Sequence, residues 1–293
     1  GNCIDAWSVE IIILFQIYDK LGSYKMSNKI SYLEKSLTIL EPWIIQISLS
    51  EGDRIDTITE EQIECLYDML SMTEYNLSAG YSQLQDYDKA RHYQEQSILH
   101  AKLMKDSEDK IKRVFDYLSH LGDLYHIMGK LTEVKAIREE AYMYVNATHD
   151  PEHPLVLEAG GKLIEILNAT GEFYDAERFA RVCYEALTRA PLDPDSYEAA
   201  NAASNLADAS CNLINTNGPQ SADIEEAEML ARKAVRIMKE LKGPVSREII
   251  KVFQVLANVT ILKKDFTDET KSLLEDYLSD AIRHEGVNGE SAG

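Results

Sequence analysis

The sequence contains few residues that break helices and few that form cross-links. Its 293 residues include only 14 Gly, 7 Pro and 4 Cys, while hydrophobic residues make up 45%. These proportions exclude a collagen-like chain and a low-complexity disordered chain. The cysteines, Cys3, Cys65, Cys183 and Cys211, form no CxxC pair, which argues against a zinc ribbon or a redox motif. We expect them to be reduced core residues, and therefore expect an intracellular, cytoplasmic protein.

Basic side chains are scarce as well. The chain has 30 Lys and Arg against 50 Asp and Glu, which gives a formal net charge of −20 and a pI of about 4.7. Binding to DNA or to an anionic membrane needs a basic surface, so neither nucleic acid nor a membrane is an expected partner. The longest apolar run, Val9 to Ile17, is interrupted by Glu10 and Gln16. It is shorter than the roughly 20 apolar residues of a membrane-spanning helix.

Known catalytic motifs are also lacking. The sequence contains no Gly-rich phosphate loop, HExxH helix, GxSxG elbow or EF-hand loop. Three groups of His and carboxylate residues are present: His92 with Asp88 and Glu95, His120 with Asp116 and Asp123, and the segment His149-Asp150-Pro151-Glu152-His153-Pro154. A carboxylate beside a His is common on a solvated helix face, and two prolines make the third group a connector. We expect no catalytic residue, no cofactor and no metal; an enzyme that uses these groups is an alternative.

A turn followed by a helix start recurs along the chain. The pattern stands at Gln85-Asp86-Tyr87-Asp88-Lys89-Ala90, Gly129-Lys130-Leu131-Thr132-Glu133-Val134 and Gly171-Glu172-Phe173-Tyr174-Asp175-Ala176. Each copy ends in a small residue, and equivalent residues follow at Ala227 and Thr270. From Ala90 onward, these residues lie 44, 42, 51 and 43 positions apart. An earlier copy stands at 22–27, and turn-rich insertions near 49–59 and 215–221 explain the longer intervals. A period of this length indicates an array of structural repeats.

The apolar residues between the turns step by three and four, which is the helical period, without a two-residue alternation. The sequence therefore predicts an all-α protein. Six helix pairs are expected, at approximately 5–48, 58–105, 109–147, 152–190, 195–242 and 245–284, followed by a disordered tail at 286–293. Because such pairs cannot bury their apolar faces alone, they are expected to share one core in a single domain over residues 1–285.

Residues 150–190 carry a resemblance to a known family. The segment His149 to Pro154, Leu163-Ile164-x-x-Leu167, Gly171-Glu172-Phe173, Asp175-Ala176-Glu177 and Ala186-Leu187 closely resemble the roughly 42-residue tetratricopeptide repeats of the kinesin light chain and nephrocystin type. The resemblance implies a right-handed superhelical solenoid of about six stacked helix-turn-helix repeats. A HEAT or armadillo array has a similar period, but the Gly-aromatic-x-x-Ala turn favours tetratricopeptide repeats. Motor attachment does not follow, because no sustained heptad pattern for a coiled-coil arm is present.

The same resemblance implies that partners lie on the concave face, lined by the first helix of each pair. A shared leucine aligns these helices, at Leu77, Leu121, Leu163, Leu206 and Leu256. Acids stand two positions after it in three successive repeats, and further polar residues stand one position before it and five positions before it. The predicted partner-binding residues are Asn76, Asp116, Ser119, His120, Asp123, Glu158, Lys162, Glu165, Asn201, Asn205 and Asp208.

The acidic charge is concentrated in the middle of the chain. Residues 51–220 hold 15 basic and 31 acidic side chains, a net charge of −16, which leaves −4 for the rest. We expect a non-catalytic adaptor or scaffold whose concave, mainly acidic face binds a peptide or protein, through a basic extended segment of that partner. Two alternatives stay open. The charge can serve solubility on the convex face, and the chain can be a peptide-sensing regulator whose superhelical pitch changes on binding.

Overall fold

The computed structural model describes residues 26–49, 59–189, 193–242 and 247–264, together with a few single positions between 268 and 279. Within these ranges every regular element is an α-helix and no strand occurs. The ten described helices are α1 (Met26–Leu49), α2 (Glu60–Gln83), α3 (Tyr87–Leu103), α4 (Glu108–Ile127), α5 (Leu131–Asn146), α6 (Pro154–Ala169), α7 (Phe173–Arg189), α8 (Tyr197–Asn217), α9 (Ile224–Lys242) and α10 (Arg247–Lys263). The predicted all-α class is confirmed.

Some sequence predictions lie outside the described residues. They are the first helix of the first pair, residues 22–25 of the first turn, most of the insertion at 49–59, the anchor Thr270 and the tail at 286–293. The contacts divide the chain into two compact units, residues 1–141 (unit 1) and residues 142–293 (unit 2). The single domain over residues 1–285 stays a prediction.

The first helices begin at residues that cap free backbone N–H groups. Thr59 and Gln62 form a capping box, in which Gln62 N donates to Thr59 Oγ1 at 3.2 Å and Thr59 N donates to Gln62 Oε1 at 2.8 Å. Ser107 and Ser196 accept from the backbone three residues later in the same way. Pro154 occupies the first turn of α6, where the missing N–H of proline costs nothing.

The three best copies of the repeated turn have one geometry. The backbone N–H groups of Asp86, Lys130 and Glu172 donate to the carbonyls of Tyr81, Tyr125 and Leu167, at 3.0, 2.9 and 2.9 Å. Each bond spans five residues, and the residue before each donor is left-handed: Gln85 (φ 62°), Gly129 (φ 72°) and Gly171 (φ 80°). This arrangement is the Schellman motif, which ends a helix and satisfies its last carbonyls. The recurring sequence pattern therefore encodes a recurring helix stop.

In unit 1, each helix packs against the next, with α1 on α2, α2 on α3 and α3 on α4. Its core contains the fully buried side chains of Leu40, Leu66 and Leu77, and the predicted anchor Ala90 has no exposed surface. A polar pair is buried with them, since Glu74 Oε2 of α2 lies 2.7 Å from His100 Nδ1 of α3. The close packing of α2 and α3 thus depends on small and matched side chains.

In unit 2, neighbouring helices also pack in order, and the first helices contact one another directly, α6 with α8 and α8 with α10. The predicted anchors Ala176 and Ala227 are buried. Helix α6 approaches α7 closely at Gly160, where a Cβ would stand only 3.0 Å from Cys183 Sγ. The direct contacts between first helices create the surface on which the candidate site lies.

Two further expectations can be compared with the described helices. Cys183 and Cys211 are buried free thiols as expected, whereas Cys65 is exposed, and Cys3 lies outside the described residues. None of the helices in the described ranges combines the length and the apolar character that a bilayer crossing requires.

Candidate partner-binding site

In unit 1, a pocket of about 430 Å³ opens between the first helices α2 and α4. Its lining residues are Met72, Tyr75 and Asn76 from α2 and Asp109, Lys112, Arg113, Asp116 and Tyr117 from α4. The rings of Tyr75 on α2 and Tyr117 on α4 stack with their centroids 4.7 Å apart. This aromatic contact packs the two helices against each other. The two acids and two bases of the lining balance, so this pocket, called the Tyr75 pocket below, has no net charge.

In unit 2, a pocket of about 410 Å³ opens between α6 and α8 and reaches α7. Its apolar lining consists of Pro154, Leu157, Ile164, Ala180, Cys183 and Ala202, and the remaining lining residues are Glu158, Gly161, Tyr197, Glu198, Asn201 and Asn205. Apart from the Cys183 thiol and the Tyr197 phenol, the ionisable side chains of this lining are the acids Glu158 and Glu198. Because Gly161 leaves the central space open, this pocket is called the Gly161 pocket.

The two pockets occupy equivalent positions in their repeats. Counted from the shared leucine, Tyr75 of unit 1 corresponds to Gly161 of unit 2, and Arg113 corresponds to Glu198. A large aromatic side chain thus stands in one pocket where the other has no side chain, and a base stands where the other has an acid. The two pockets therefore differ in side-chain size and in charge at these two equivalent repeat positions.

Five of the predicted partner-binding residues line these pockets. Asn76 and Asp116 lie together in the Tyr75 pocket, and Glu158, Asn201 and Asn205 lie together in the Gly161 pocket. An added Cβ on Gly161 would stand 3.5 Å from Asn205 Nδ2 and 4.0 Å from Asn201 Nδ2, so both carboxamides face the gap above this glycine. Successive first helices therefore bring polar side chains to a common surface in each unit.

Ser119 and Asp123 both bond to Arg138 of the second helix α5, Ser119 through its backbone and Asp123 through its side chain. Ser119 is buried, and its backbone carbonyl accepts from Arg138 Nη1 at 3.2 Å. The carboxylate of Asp123 forms an ion pair with Arg138, whose buried guanidinium lies against Gly122. Both contacts link α4 to α5, and neither residue is in the lining of the Tyr75 pocket or the Gly161 pocket.

His120 is engaged with α3. Its Nδ1 lies 2.8 Å from Gln94 Oε1, while Gln94 Nε2 donates to the carbonyl of Tyr117 at 2.8 Å. Because the carboxamide nitrogen of Gln94 is used as a donor, its oxygen accepts from His120, which places the proton on Nδ1. Burial lowers the pKa of His120 below its ordinary value of 6.5, so the ring is neutral at pH 7. Gln94 is the partner that orients this histidine.

The remaining predicted residues form a charged row on the first helices of unit 2. Lys162 Nζ lies 3.3 Å from Glu158 Oε1 one turn back on α6. Glu165 of α6 forms an ion pair with Lys251 of α10. Asp208 of α8 is half-buried; burial raises the pKa of its carboxyl, Lys251 opposes this rise and Glu165 adds to it. The acids in this row are thus partly neutralised by bases of the chain itself.

Several lining residues were not predicted. Glu198, Tyr197 and Leu157 belong to the Gly161 pocket, and Tyr75, Lys112 and Arg113 belong to the Tyr75 pocket. The tandem glycines Gly160 and Gly161 carried a signal, because glycine in a helix interior costs about 1 kcal/mol and is usually explained by a close approach. Here Gly160 allows the close approach of α7, and Gly161 leaves the space of the pocket open toward α8.

The two histidines of the connector at 149–154 contact backbone groups beside it. His153 caps α6, since its Nδ1 accepts from Leu155 N at 3.3 Å, and the Nδ1 of His149 lies 3.1 Å from the carbonyl of Val145. Among the residues that the structure describes, neither His92 nor His120 belongs to a cluster of three possible metal ligands. Burial also raises the pKa of Cys183 in the Gly161 pocket to about 11, so its thiol is protonated at neutral pH.

Comparison with known proteins gives the fold. No protein-family model matches the sequence, and neither does any curated protein. Among solved structures, BtubC (BKLC) from P. vanneervenii matches with a TM-score of 0.59 and 18% identity, covering 91% of this chain and 93% of that chain. Two structures of a kinesin light chain-like protein from P. anserina, with nearly identical tetratricopeptide-like repeats, match with TM-scores of 0.53 and 0.51. Both are 18% identical, and they cover 71% of this chain and 92% and 93% of their own.

The chain has a tetratricopeptide-repeat fold. The predicted resemblance to kinesin light chain repeats is confirmed at the level of fold, in preference to a HEAT or armadillo array. An identity of 18% carries the fold and nothing further.

Proposed function

We propose that the chain is a non-catalytic interaction adaptor whose first helices bind an extended segment of a protein partner. The observation that carries this proposal is the pair of equivalent pockets, one in each unit, formed between successive first helices. Their linings combine apolar surface with a few polar side chains, which is the usual composition of a ligand site. An extended peptide suits such an array because its side chains alternate along the strand and can enter pockets at intervals.

Two carboxamides support binding of a peptide main chain in unit 2. Asn201 and Asn205 stand one helical turn apart on α8 and face the same gap. A carboxamide has both donor and acceptor atoms, so it can bond to the N–H or to the carbonyl of a peptide unit. Neither side chain has a hydrogen bond to protein within the described part of the chain, which leaves these atoms for a partner.

The charge of the chain supports a basic partner segment. Residues 51–220 carry a net charge of −16, and the acids of the Gly161 pocket, Glu158 and Glu198, are exposed. Complementary charge increases the association rate and the selectivity for basic segments. The Tyr75 pocket, with balanced charge, by itself suits an apolar or aromatic side chain of a partner.

A non-catalytic role agrees with the chemistry of the pockets. The thiol of Cys183 is protonated at neutral pH, and no histidine lines either pocket. The neutral ring of His120 is oriented by Gln94, outside the pocket lining. The pockets therefore offer recognition groups, and a nucleophile with an adjacent base is not among their lining residues.

A peptide-library pull-down with variants of unit 2 tests the proposal. Glu158→Lys/Glu198→Lys reverses two acids of the Gly161 pocket, and Asp175→Lys/Glu240→Lys reverses two exposed acids on the second helices α7 and α9. Both variants change the net charge by the same amount. The unmodified chain and the control variant should retain basic peptides at low salt, release part of them at physiological salt, and outperform the pocket variant.

Equal retention by the pocket variant would place the binding surface elsewhere on the chain. Circular dichroism of all three proteins shows whether the fold is preserved. We expect the fold to be preserved, because the contact of Lys162 with Glu158, the ion pair that this variant breaks within the described residues, lies at the surface, and such pairs contribute at most about 1 kcal/mol.

A further inference from the structure

We infer that the Gly161 pocket is a subsite for an arginine side chain of the bound segment. This inference rests on the proposed function, since it names one side chain of the ligand. It is carried by four features of unit 2: an unpartnered buried carboxamide, a gap in the helix surface, an apolar wall and an acidic rim.

Asn205 provides the buried polar group. The residue is only 7% exposed, lines the pocket and faces the gap above Gly161. No hydrogen bond to its side chain is found among the described residues, although a side chain this deeply buried normally has a partner. The carboxamide atoms therefore reach only the space of the pocket, where a ligand can bond to them. Asn205 is therefore placed to bond to a polar head group that enters the pocket.

Gly161 and the apolar residues provide the space. At the equivalent position of unit 1, Tyr75 stacks on Tyr117 and forms part of the pocket wall, whereas Gly161 has no side chain. Leu157, Ile164 and Ala202 line the opening that results. Long basic side chains bury their methylene stems against such surface while the charged end reaches polar groups. The pocket thus accepts a side chain with an apolar stem.

Glu158 and Glu198 give the sign of the charge. They stand on α6 and α8, the two helices that border the pocket. Lys162 is close to Glu158, but Glu198 has no ion-pair partner among the described residues. In the Tyr75 pocket the residue at the position of Glu198 is Arg113, so that the acidic rim is a property of unit 2. A cationic head group is favoured here.

The geometry of the polar groups favours a guanidinium over an ammonium ion. The pocket has two carboxamides, Asn201 and Asn205, and two carboxylates on opposite helices. A guanidinium is planar, has five N–H donors that point in several directions and is more weakly hydrated than an ammonium ion. It can therefore bond to a carboxamide oxygen and to a carboxylate at once, after rotation of the Asn205 carboxamide about its last torsion.

NMR titration of the full isotope-labelled chain tests this assignment. The probe is Nα-acetyl-L-arginine amide, and the matched probes are the lysine derivative and the neutral citrulline derivative, which has nearly the shape of arginine. The arginine probe should shift the signals of the Asn205 side-chain amide and the Ala202 backbone amide in a saturable way. The citrulline probe should bind at least about tenfold more weakly because it has no charge and loses the charge-assisted bonds. The lysine probe should be weaker by a similar factor because its donors share one nitrogen and its ammonium group is more strongly hydrated.

Variants at Gly161 locate the site. Gly161→Met fills the pocket and should abolish the shifts, whereas Gly161→Ala places its Cβ at ordinary contact distance from Asn205 and should preserve them. Asn205→Leu should weaken the arginine probe at least about tenfold, because it removes the carboxamide while keeping a side chain of similar size. The melting temperature confirms that each variant is folded.

Equal binding of the citrulline or lysine probe would overturn the assignment, and so would shifts that persist in Gly161→Met. The outcome is separate from the test of the proposed function. If basic peptides are retained by the chain but the arginine probe causes no shift, this inference falls and the proposed function stands. If no peptide is retained, the proposed function falls, and the NMR titration still decides whether the pocket binds arginine.

Discussion

At the residue scale, single side chains at the start of α7 have very different surroundings. Ala176 has no exposed surface, while Tyr174, two residues earlier, is 67% exposed. The small anchor of the repeat therefore packs between helices, and its neighbour in the first turn faces solvent. The same contrast holds in unit 1, where Ala90 is buried and Leu84 of the preceding turn is exposed.

We predict that Ala176→Asp destabilises the protein by more than about 3 kcal/mol, because it buries an unpaired carboxylate in the packing of α7. Tyr174→Asp is the matched control and should change stability little, since it adds an exposed acid near a helix N-terminus. Thermal or denaturant unfolding of both variants measures the difference. Equal melting temperatures for Ala176→Asp and the unmodified chain would contradict the assigned repeat register.

Asp208 supplies a prediction on pH. Burial raises the pKa of this carboxyl above its ordinary value of 3.8, so the folded chain holds the proton more tightly than the unfolded chain. By linkage, stability falls as the pH rises from about 3.8 through the folded pKa, and the loss is complete above that pKa. Asp208→Asn should therefore raise the melting temperature at pH 7 and have a smaller effect near pH 3.

The exposed substitution Asp150→Asn is the control for this measurement. A stabilising effect of Asp208→Asn that is the same at pH 3 and pH 7 would contradict the account, because a pH-independent gain cannot arise from the titration of a carboxyl group.

At the element scale, the helix-turn-helix unit was the part of the structure most open to sequence reasoning. Gly129 and Gly171 mark left-handed helix stops, and the small residues five positions later lie in the core. The turn at Gln85 was found without a glycine, from the Asp-Tyr-Asp-Lys-Ala phrase that follows it. Local turn chemistry and the helical period thus sufficed to predict where these helices end and begin.

The Gln85 turn yields a paired test. Gln85 holds the left-handed conformation that glycine holds in the other two turns, which costs a residue with a Cβ about 1 kcal/mol. We predict that Gln85→Gly stabilises the chain by up to about 1 kcal/mol and that Gly129→Gln destabilises it by a similar amount. Denaturant unfolding measures both. Destabilisation by Gln85→Gly would show that the side chain of Gln85 contributes more than its backbone strain costs.

The orientation of polar residues on a first helix was less predictable. Ser119 is buried and Asp123 is exposed, yet both bond to Arg138 of the neighbouring helix α5. The side chain of His120 on α4 likewise forms its hydrogen bond with Gln94 of another helix, α3. A helical period tells which residues share a face, but it does not tell which neighbouring helix covers that face. The pockets depend on such contacts, and for this reason Glu198 and Tyr75 escaped prediction.

At the scale of the whole molecule, the charge excess in residues 51–220 is distributed unevenly among the sites. The Tyr75 pocket has balanced charge, and the Gly161 pocket is acidic. The charge of Glu165 on α6 is partly neutralised by its ion pair with Lys251. The mainly acidic concave face stays a prediction, and we propose that the two pockets differ in charge. Taken by itself, the Tyr75 pocket would suit an apolar side chain, and the Gly161 pocket would suit a basic one.

The central claim is that a partner segment lies on the first helices, and photo-cross-linking tests it most directly. A photoreactive residue is introduced at Lys112 or Pro154, at the two pockets, or at the exposed Leu99 or Val182 on the second helices α3 and α7. Each protein is irradiated with the peptides retained from the library. The account predicts cross-links from positions 112 and 154 and few from 99 and 182. Cross-links mainly from 99 and 182 would contradict it.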